Sequence, residues 1–234
     1  MKKNNTPIVI IGLVGVLAIL GAVGYFASLK SSSPTNTATK TNSNSTAKPV
    51  ATPDYANAPA GATPARSKGN PNAVVYLEEF GDYECPSCAY IQPTLKEIQT
   101  VYGDKVKLTF RNYPLPIHPK ARDAAQAAEA AGQQGKFWEM YDMIYDKQNS
   151  WKILPEHKKE YSLYARNLGL NVEKFETDRD SDEVKRRIEA DKKRADYLAI
   201  RATPTLFFNG RMLSQQEMQL AKLRELIDAA LAGK

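Results

Sequence analysis

The chain has 234 residues, 42% hydrophobic and 25% charged, an ordinary composition for a globular protein. Its net charge of +6 sits at one end: residues 1–70 carry seven lysines and arginines against one aspartate, while residues 71–234 carry 25 of each sign. A body that is neutral overall lacks the basic footprint of a nucleic-acid binder, and no nucleic-acid partner is expected.

Lys2 and Lys3 precede an uncharged run of 22 residues, Ile8 to Leu29. As a helix this run spans roughly 33 Å, enough for a hydrocarbon core of about 30 Å. Basic residues ahead of such a run place the N-terminus in the cytoplasm. A cleaved signal peptide is the alternative, but its apolar region is shorter, and cleavage after Ala27 would put Tyr25 where a small residue is wanted. Residues 1–30 are therefore expected to be a cytoplasmic tip and a single-pass transmembrane anchor, with the remainder on the extracytoplasmic side of the cell membrane. Residues 31–70 are nearly all Ser, Thr, Asn, Ala, Pro or Gly, and read as a flexible linker with too little apolar surface to fold.

Patterning begins at Ala73. Val74 to Phe80 is β-branched and aromatic, a strand. Gly81 to Glu84 breaks it, and Cys85 to Val101 follows as a helix that Pro93 should kink. Val106 to Arg111 alternates as a second strand, completing a βαβ unit. About 80 residues without a convincing strand come next. Pro119 opens an alanine-rich helix ended by Gly132, and Phe137, Trp138, Tyr141, Ile144 and Tyr145 recur at helical spacing. A third helix runs from Pro155 to Leu168, and Asn171 and Ser181 are N-caps for two more. Thr205 to Phe208 returns to strand, Asn209-Gly210 is a hairpin turn, and Gln216 to Leu231 closes as a helix.

The only two cysteines, Cys85 and Cys88, stand three positions apart. A structural disulfide across so short a loop would gain only about 2 kcal/mol from chain entropy. A zinc site with His118 and His157 fits no compact ligand spacing, so neither metal nor cofactor is expected. Redox chemistry explains the spacing. Cys85 at a helix start would be acidified by free backbone N–H groups and the helix dipole, while Cys88, one turn on, could resolve a mixed disulfide. His118 reads as capping or packing, His157 as solvated, and Lys185 to Arg194 as a solvated helix face.

Phe80-Gly81-Asp82-Tyr83-Glu84-Cys85-Pro86-Ser87-Cys88 resembles the active-site entry of the DsbA-like thiol-disulfide oxidoreductases. So do His118-Pro119 with its alanine-rich helix, Gln134-Gly135-Lys136-Phe137-Trp138, and Thr203-Pro204 before Leu206-Phe207-Phe208-Asn209-Gly210. The resemblance covers residues 71–234 and implies an α/β thioredoxin fold, with a core at 71–117 and 200–234 and a helical insertion at 118–199. It also implies oxidation or shuffling of thiols in exported proteins, with a quinone-linked membrane partner for reoxidation. Cys85 matches the family's exposed nucleophile and Cys88 its buried resolving cysteine. Pro204 matches the cis-proline facing them, with Thr203 before it, and Glu79 the buried acid near the resolving cysteine. Arg111, on the next strand, is a candidate partner for Glu79. Ser87 stands where DsbA proper has histidine, so with Pro86 it bears on how oxidising the site is. Disulfide oxidation is the leading expectation. Reduction or isomerisation by the same cysteines, or a redox-inert tethered binding module, are the alternatives.

Overall fold

The computed structural model describes residues 54–233. The expected anchor at 1–30 and the linker as far as residue 53 lie outside them. Among the described residues no helix is long and apolar enough to cross a membrane.

A five-stranded sheet runs in the order β1 (Arg66–Lys68), β3 (Val106–Asn112), β2 (Val75–Gly81), β4 (Thr205–Phe208), β5 (Arg211–Met212). Its centre is β2 (Val75–Gly81), followed by helix α1 (Pro86–Tyr102) and by β3 (Val106–Asn112), which lies parallel to β2 with Leu77 opposite Leu108 and Glu79 opposite Phe110. β4 (Thr205–Phe208) pairs antiparallel with the other side of β2 and turns through Asn209 and Gly210 into β5 (Arg211–Met212). Both turn residues have positive φ, 47° and 83°, the geometry that an Asn-Gly pair adopts at least cost. Val75, Leu77, Val106 and Leu108 bury one face of the sheet against Ile91, Leu95 and Ile98 of α1. Leu223 and Ile227 of the last helix, α8 (Leu220–Leu231), join the same core.

Six helices separate β3 from β4: α2 (Ala121–Gln133), α3 (Phe137–Asp146), α4 (Gln148–Trp151), α5 (His157–Asn167), α6 (Val172–Arg179) and α7 (Asp182–Tyr197). Alanines let α2 pass through the middle of the insertion, with Ala121, Ala124, Ala127 and Ala128 fully enclosed. Asn171 and Ser181 cap α6 and α7 through bonds to Lys174 N (2.9 Å) and Val184 N (3.3 Å). The four-residue α4 was not legible in the sequence. The Lys185–Arg194 stretch is not simply solvated, because Arg187, Asp191 and Arg194 turn inward and are buried.

Residues 54–70, expected in the linker, are instead bound to this domain. β1 (Arg66–Lys68) pairs antiparallel with β3, and Tyr55 packs on Phe207 with ring centroids 5.0 Å apart. Buried arginines hold the backbone between them: Arg194 donates to Pro59 O (2.8 Å), Arg111 to Ala62 O (3.0 Å) and Arg187 to Pro64 O (2.9 Å). This segment gains its order from donors elsewhere in the chain, which its own composition cannot register.

Candidate active site

β2 ends at Gly81, and a short turn delivers Cys85 to the N-cap of α1 with extended backbone (φ −70°, ψ 121°) and Pro86 next, inside the first turn. Proline is suited to that place because its missing N–H would have no helical partner there. Asp82 organises the turn. Its buried carboxylate accepts from Glu84 N, Leu115 N and His118 Nδ1, each at 2.8 Å. His118 therefore has the packing role expected of it. His157 does not stand free in solvent: its Nε2 bonds Asp123 at 2.8 Å, with the side chain 11% exposed.

The two thiols are unpaired and oppositely tuned. Cys85 is brought down to about 5, first by the neighbouring Cys88 thiol, acting against burial, with the backbone of Cys88 and Ser87 adding to it. Cys88 is pushed well above the usual thiol range, first by burial, then by its bond to Cys85 and by Glu79. Cys85 thus sits at the helix start that favours an anion, although its side chain accepts no capping hydrogen bond and the Cys88 thiol is the largest influence on it. The expected nucleophile is less open than its family match implies: Cys85 is only 6% exposed, and as a thiol its Sγ donates to Thr203 O at 3.3 Å. Cys88 is fully enclosed and accepts from Asp82 N at 3.5 Å. The Thr203–Pro204 bond is cis.

Glu79 lies fully buried, and burial raises its carboxyl to about 8, against the opposing effects of Tyr141 and Lys68. Tyr141 Oη donates to its Oε2 at 3.0 Å. Arg111 is not its partner. Pairing across the parallel strands puts Arg111 opposite Phe80, on the Glu78 face of β2, where its Nε reaches Glu78 Oε1 at 2.7 Å. Glu78 also binds Arg194 and Tyr55, so the neighbouring glutamates belong to different networks on opposite faces. Tyr141 was legible only as a core aromatic, since helical spacing does not say which hydroxyl meets an acid.

Pro86 and Ser87 are exposed. Ser87, Tyr90, Thr203, Pro204, Met218 and Leu220 line a groove of about 660 Å³ beside the thiols, and Tyr90 is 87% exposed. Among the described residues no group of three or more His, Cys, Asp or Glu side chains is arranged to hold a metal ion.

The thioredoxin family profile matches residues 62–229. Oxidised BdbD from Bacillus subtilis superposes with a TM-score of 0.64 at 25% identity, over 75% of this chain and 99% of that one. The thiol-disulfide exchange protein alpha-DsbA2 from Wolbachia pipientis shares the fold, with a TM-score of 0.61 at 21% identity over 70% of this chain and 86% of that one. The Na(+)/H(+) antiporter NhaA 1 of Mycolicibacterium gilvum is 37% identical over 147 residues, which are 62% of this chain and 23% of the antiporter. The match thus spans less than a quarter of that relative's length. More than half of the chain falls within the matched family, and the chain belongs to the thioredoxin family with the fold of its DsbA-like thiol-disulfide oxidoreductases.

Proposed function

We propose that the chain oxidises thiols of exported proteins to disulfides outside the cytoplasm, through the dithiol and disulfide states of Cys85 and Cys88. The observation that carries this is the opposed acidity of two thiols one helical turn apart. A stabilised Cys85 thiolate favours the reduced pair and so makes the disulfide a stronger oxidant.

In the first step a substrate thiolate attacks Cys85 Sγ of the disulfide. The Cys85–Cys88 bond breaks, and Cys88 leaves with the electron pair. A sulfur this hard to ionise is a poor leaving group unless protonated, and Glu79, holding a proton at neutral pH, is the donor. A second substrate thiolate then attacks the substrate sulfur and expels Cys85 as a thiolate. Two substrate thiols become one disulfide, and the cysteine pair gains two electrons. Thr203 and Pro204, with the groove beside them, form the surface on which the substrate chain lies; Pro86 and Ser87 tune the pair. A quinone-linked membrane partner removes the electrons. The N-terminal run of residues 8–29 anchors the protein in the cell membrane, and full-length protein should stay with membranes through a carbonate wash.

Equilibration of the full chain with glutathione tests the direction of catalysis. A potential between thioredoxin's of about −270 mV and DsbA's of about −120 mV is expected. A value at or below thioredoxin's would favour a reductase. A pair that never exchanges with glutathione would leave only a redox-inert binding module.

A further inference from the structure

The helical insertion reaches the active-site turn through a side chain that the chemistry above does not use. Gln148, the first residue of α4, is buried, and its Nε2 donates to two backbone carbonyls, Tyr83 O at 2.8 Å and Cys85 O at 2.9 Å. These carbonyls bracket Glu84 and Cys85, the last two residues before α1. From the opposite side, Asp82 holds the same turn through Glu84 N on its carboxylate and Cys85 N on its carbonyl (3.2 Å).

We propose that Gln148 is a positioning residue for the nucleophile, fixing with one amide nitrogen the Cys85 carbonyl and thereby the place of Cys85 Sγ at the N-terminal end of α1. The carbonyl of Cys85 and its side chain branch from one Cα, so anchoring the carbonyl fixes ψ and, with it, where Sγ lies relative to the N–H groups of Ser87 and Cys88. The free N–H groups and dipole of a helix act only within its first turn, so a small displacement of Sγ here costs thiolate stabilisation. The clamp is itself held rigidly. A four-residue helix has no stability of its own, and α4 is fixed by Trp151, which is fully enclosed and donates through Nε1 to Ile144 O at 2.7 Å. The chemistry also favours an amide at this place. A carboxylate would face two carbonyl oxygens with no proton to give, and an apolar side chain would leave Cys85 O with only the Ala89 N–H at 3.2 Å.

This role rests on Cys85 being the acidic sulfur of the pair, and its test separates the two statements. In the reduced full chain, the thiolate is titrated by absorbance at 240 nm, and alkylation of Cys85 is followed below its pKa. Gln148→Met keeps the length of the side chain and removes the donor. It should raise the titration by about one pH unit, which cuts the thiolate fraction about tenfold below the pKa and, because a more basic thiolate is more nucleophilic, slows alkylation about threefold to fourfold. Gln126→Met is the control. It removes another buried amide, which donates to Arg179 O at 3.1 Å within the insertion, and should leave Cys85 unchanged. An unmoved titration in folded Gln148→Met, or an equal shift in Gln126→Met, overturns the positioning role. Should Gln148→Met fail to fold, Gln148→Asn, too short to reach both carbonyls, is read in the same way. Failure of both to fold overturns the proposal in favour of a structural role. If wild-type Cys85 titrates as an ordinary thiol, the nucleophile assignment itself falls; if it is acidic but indifferent to Gln148, only the clamp does.

Discussion

Reducing the Cys85–Cys88 bond creates an ionised sulfur at neutral pH, and this should appear as a pH-dependent gain in folding stability. Cys85 titrates at about 5 in the folded protein against 9.0 for an ordinary thiol, so folding favours its thiolate. For a group whose pKa is depressed on folding, the gain is complete above the unfolded value and is lost as pH falls through the folded one. Between pH 5 and 9 the reduced form should gain about 1.4 kcal/mol per pH unit relative to the oxidised form, which has no thiol to titrate. At pH 7 two of those units are realised, about 3 kcal/mol, which corresponds to about 60 mV of oxidising potential for a two-electron couple. The chain-entropy contribution of the disulfide adds an offset of about 2 kcal/mol that does not vary with pH. Glu79 also titrates in this range, but its shift comes first from burial, which both redox forms share. Urea unfolding of both forms at pH 5, 6, 7 and 8 supplies the difference. A difference that stays flat or falls with rising pH would refute the claim that the fold holds Cys85 as a thiolate.

Ser87→His should raise both the reduction potential and the acidity of Cys85, because an imidazolium at this exposed first-turn position adds positive charge beside the thiolate; glutathione equilibrium and thiolate titration measure the two, and an unchanged potential would show that the residues between the cysteines do not govern the thiolate. Cys88→Ala should trap a mixed disulfide between Cys85 and a substrate protein, visible on a non-reducing gel, whereas Cys85→Ala should trap none. The reverse pattern would exchange the roles of the two sulfurs.

The βαβ unit, the Asn209-Gly210 hairpin, the caps at Asn171 and Ser181 and the last helix were all legible, because each is written in local residue types: β-branched runs, turn formers and short polar side chains. The cysteine pair was legible because spacing and helix start occur within four residues. What escaped was assembled over long separations. Tyr55 through Arg66 looked like linker because its partners, Arg111, Arg187 and Arg194, lie 49 to 136 residues away in sequence. Lys185 to Arg194 looked solvated because a charged helix announces nothing about which arginines turn inward. Gln148 sits in a helix too short to show a period, and Tyr141 in one whose aromatic stripe shows helical spacing without revealing the acid beneath it.

The adjacent glutamates of β2 show how sharply one position can divide structure from chemistry, and they support a prediction of opposite signs. Glu78 is held below its ordinary pKa despite burial, because Arg194 and Arg111 bind it. Its carboxylate takes Arg111 Nε at 2.7 Å, Arg194 Nη2 at 2.9 Å and Tyr55 Oη at 2.6 Å. Glu78→Gln would leave two buried guanidiniums short of a counter-charge, and loss of one partner from such a cluster costs about 3–5 kcal/mol. Glu79 has no arginine, and its folded pKa of about 8 lies above the ordinary 4.5. For a carboxyl raised on folding, stability is full below 4.5 and declines as pH rises towards 8, by about 1.4 kcal/mol per unit, so some 3 kcal/mol has been lost by pH 7. Glu79→Gln avoids that loss while keeping an oxygen for Tyr141 Oη. It should therefore stabilise the protein at pH 7 in both redox states and match wild type near pH 4. The same variant should form mixed disulfides with substrate thiols more slowly at pH 7, having no proton to give Cys88 as it leaves. Urea unfolding of both variants at pH 4 and pH 7 decides the matter. Equal destabilisation by Glu78→Gln and Glu79→Gln at pH 7 would mean that Glu79 is ionised in the fold, and Cys88 would then need another source for its proton.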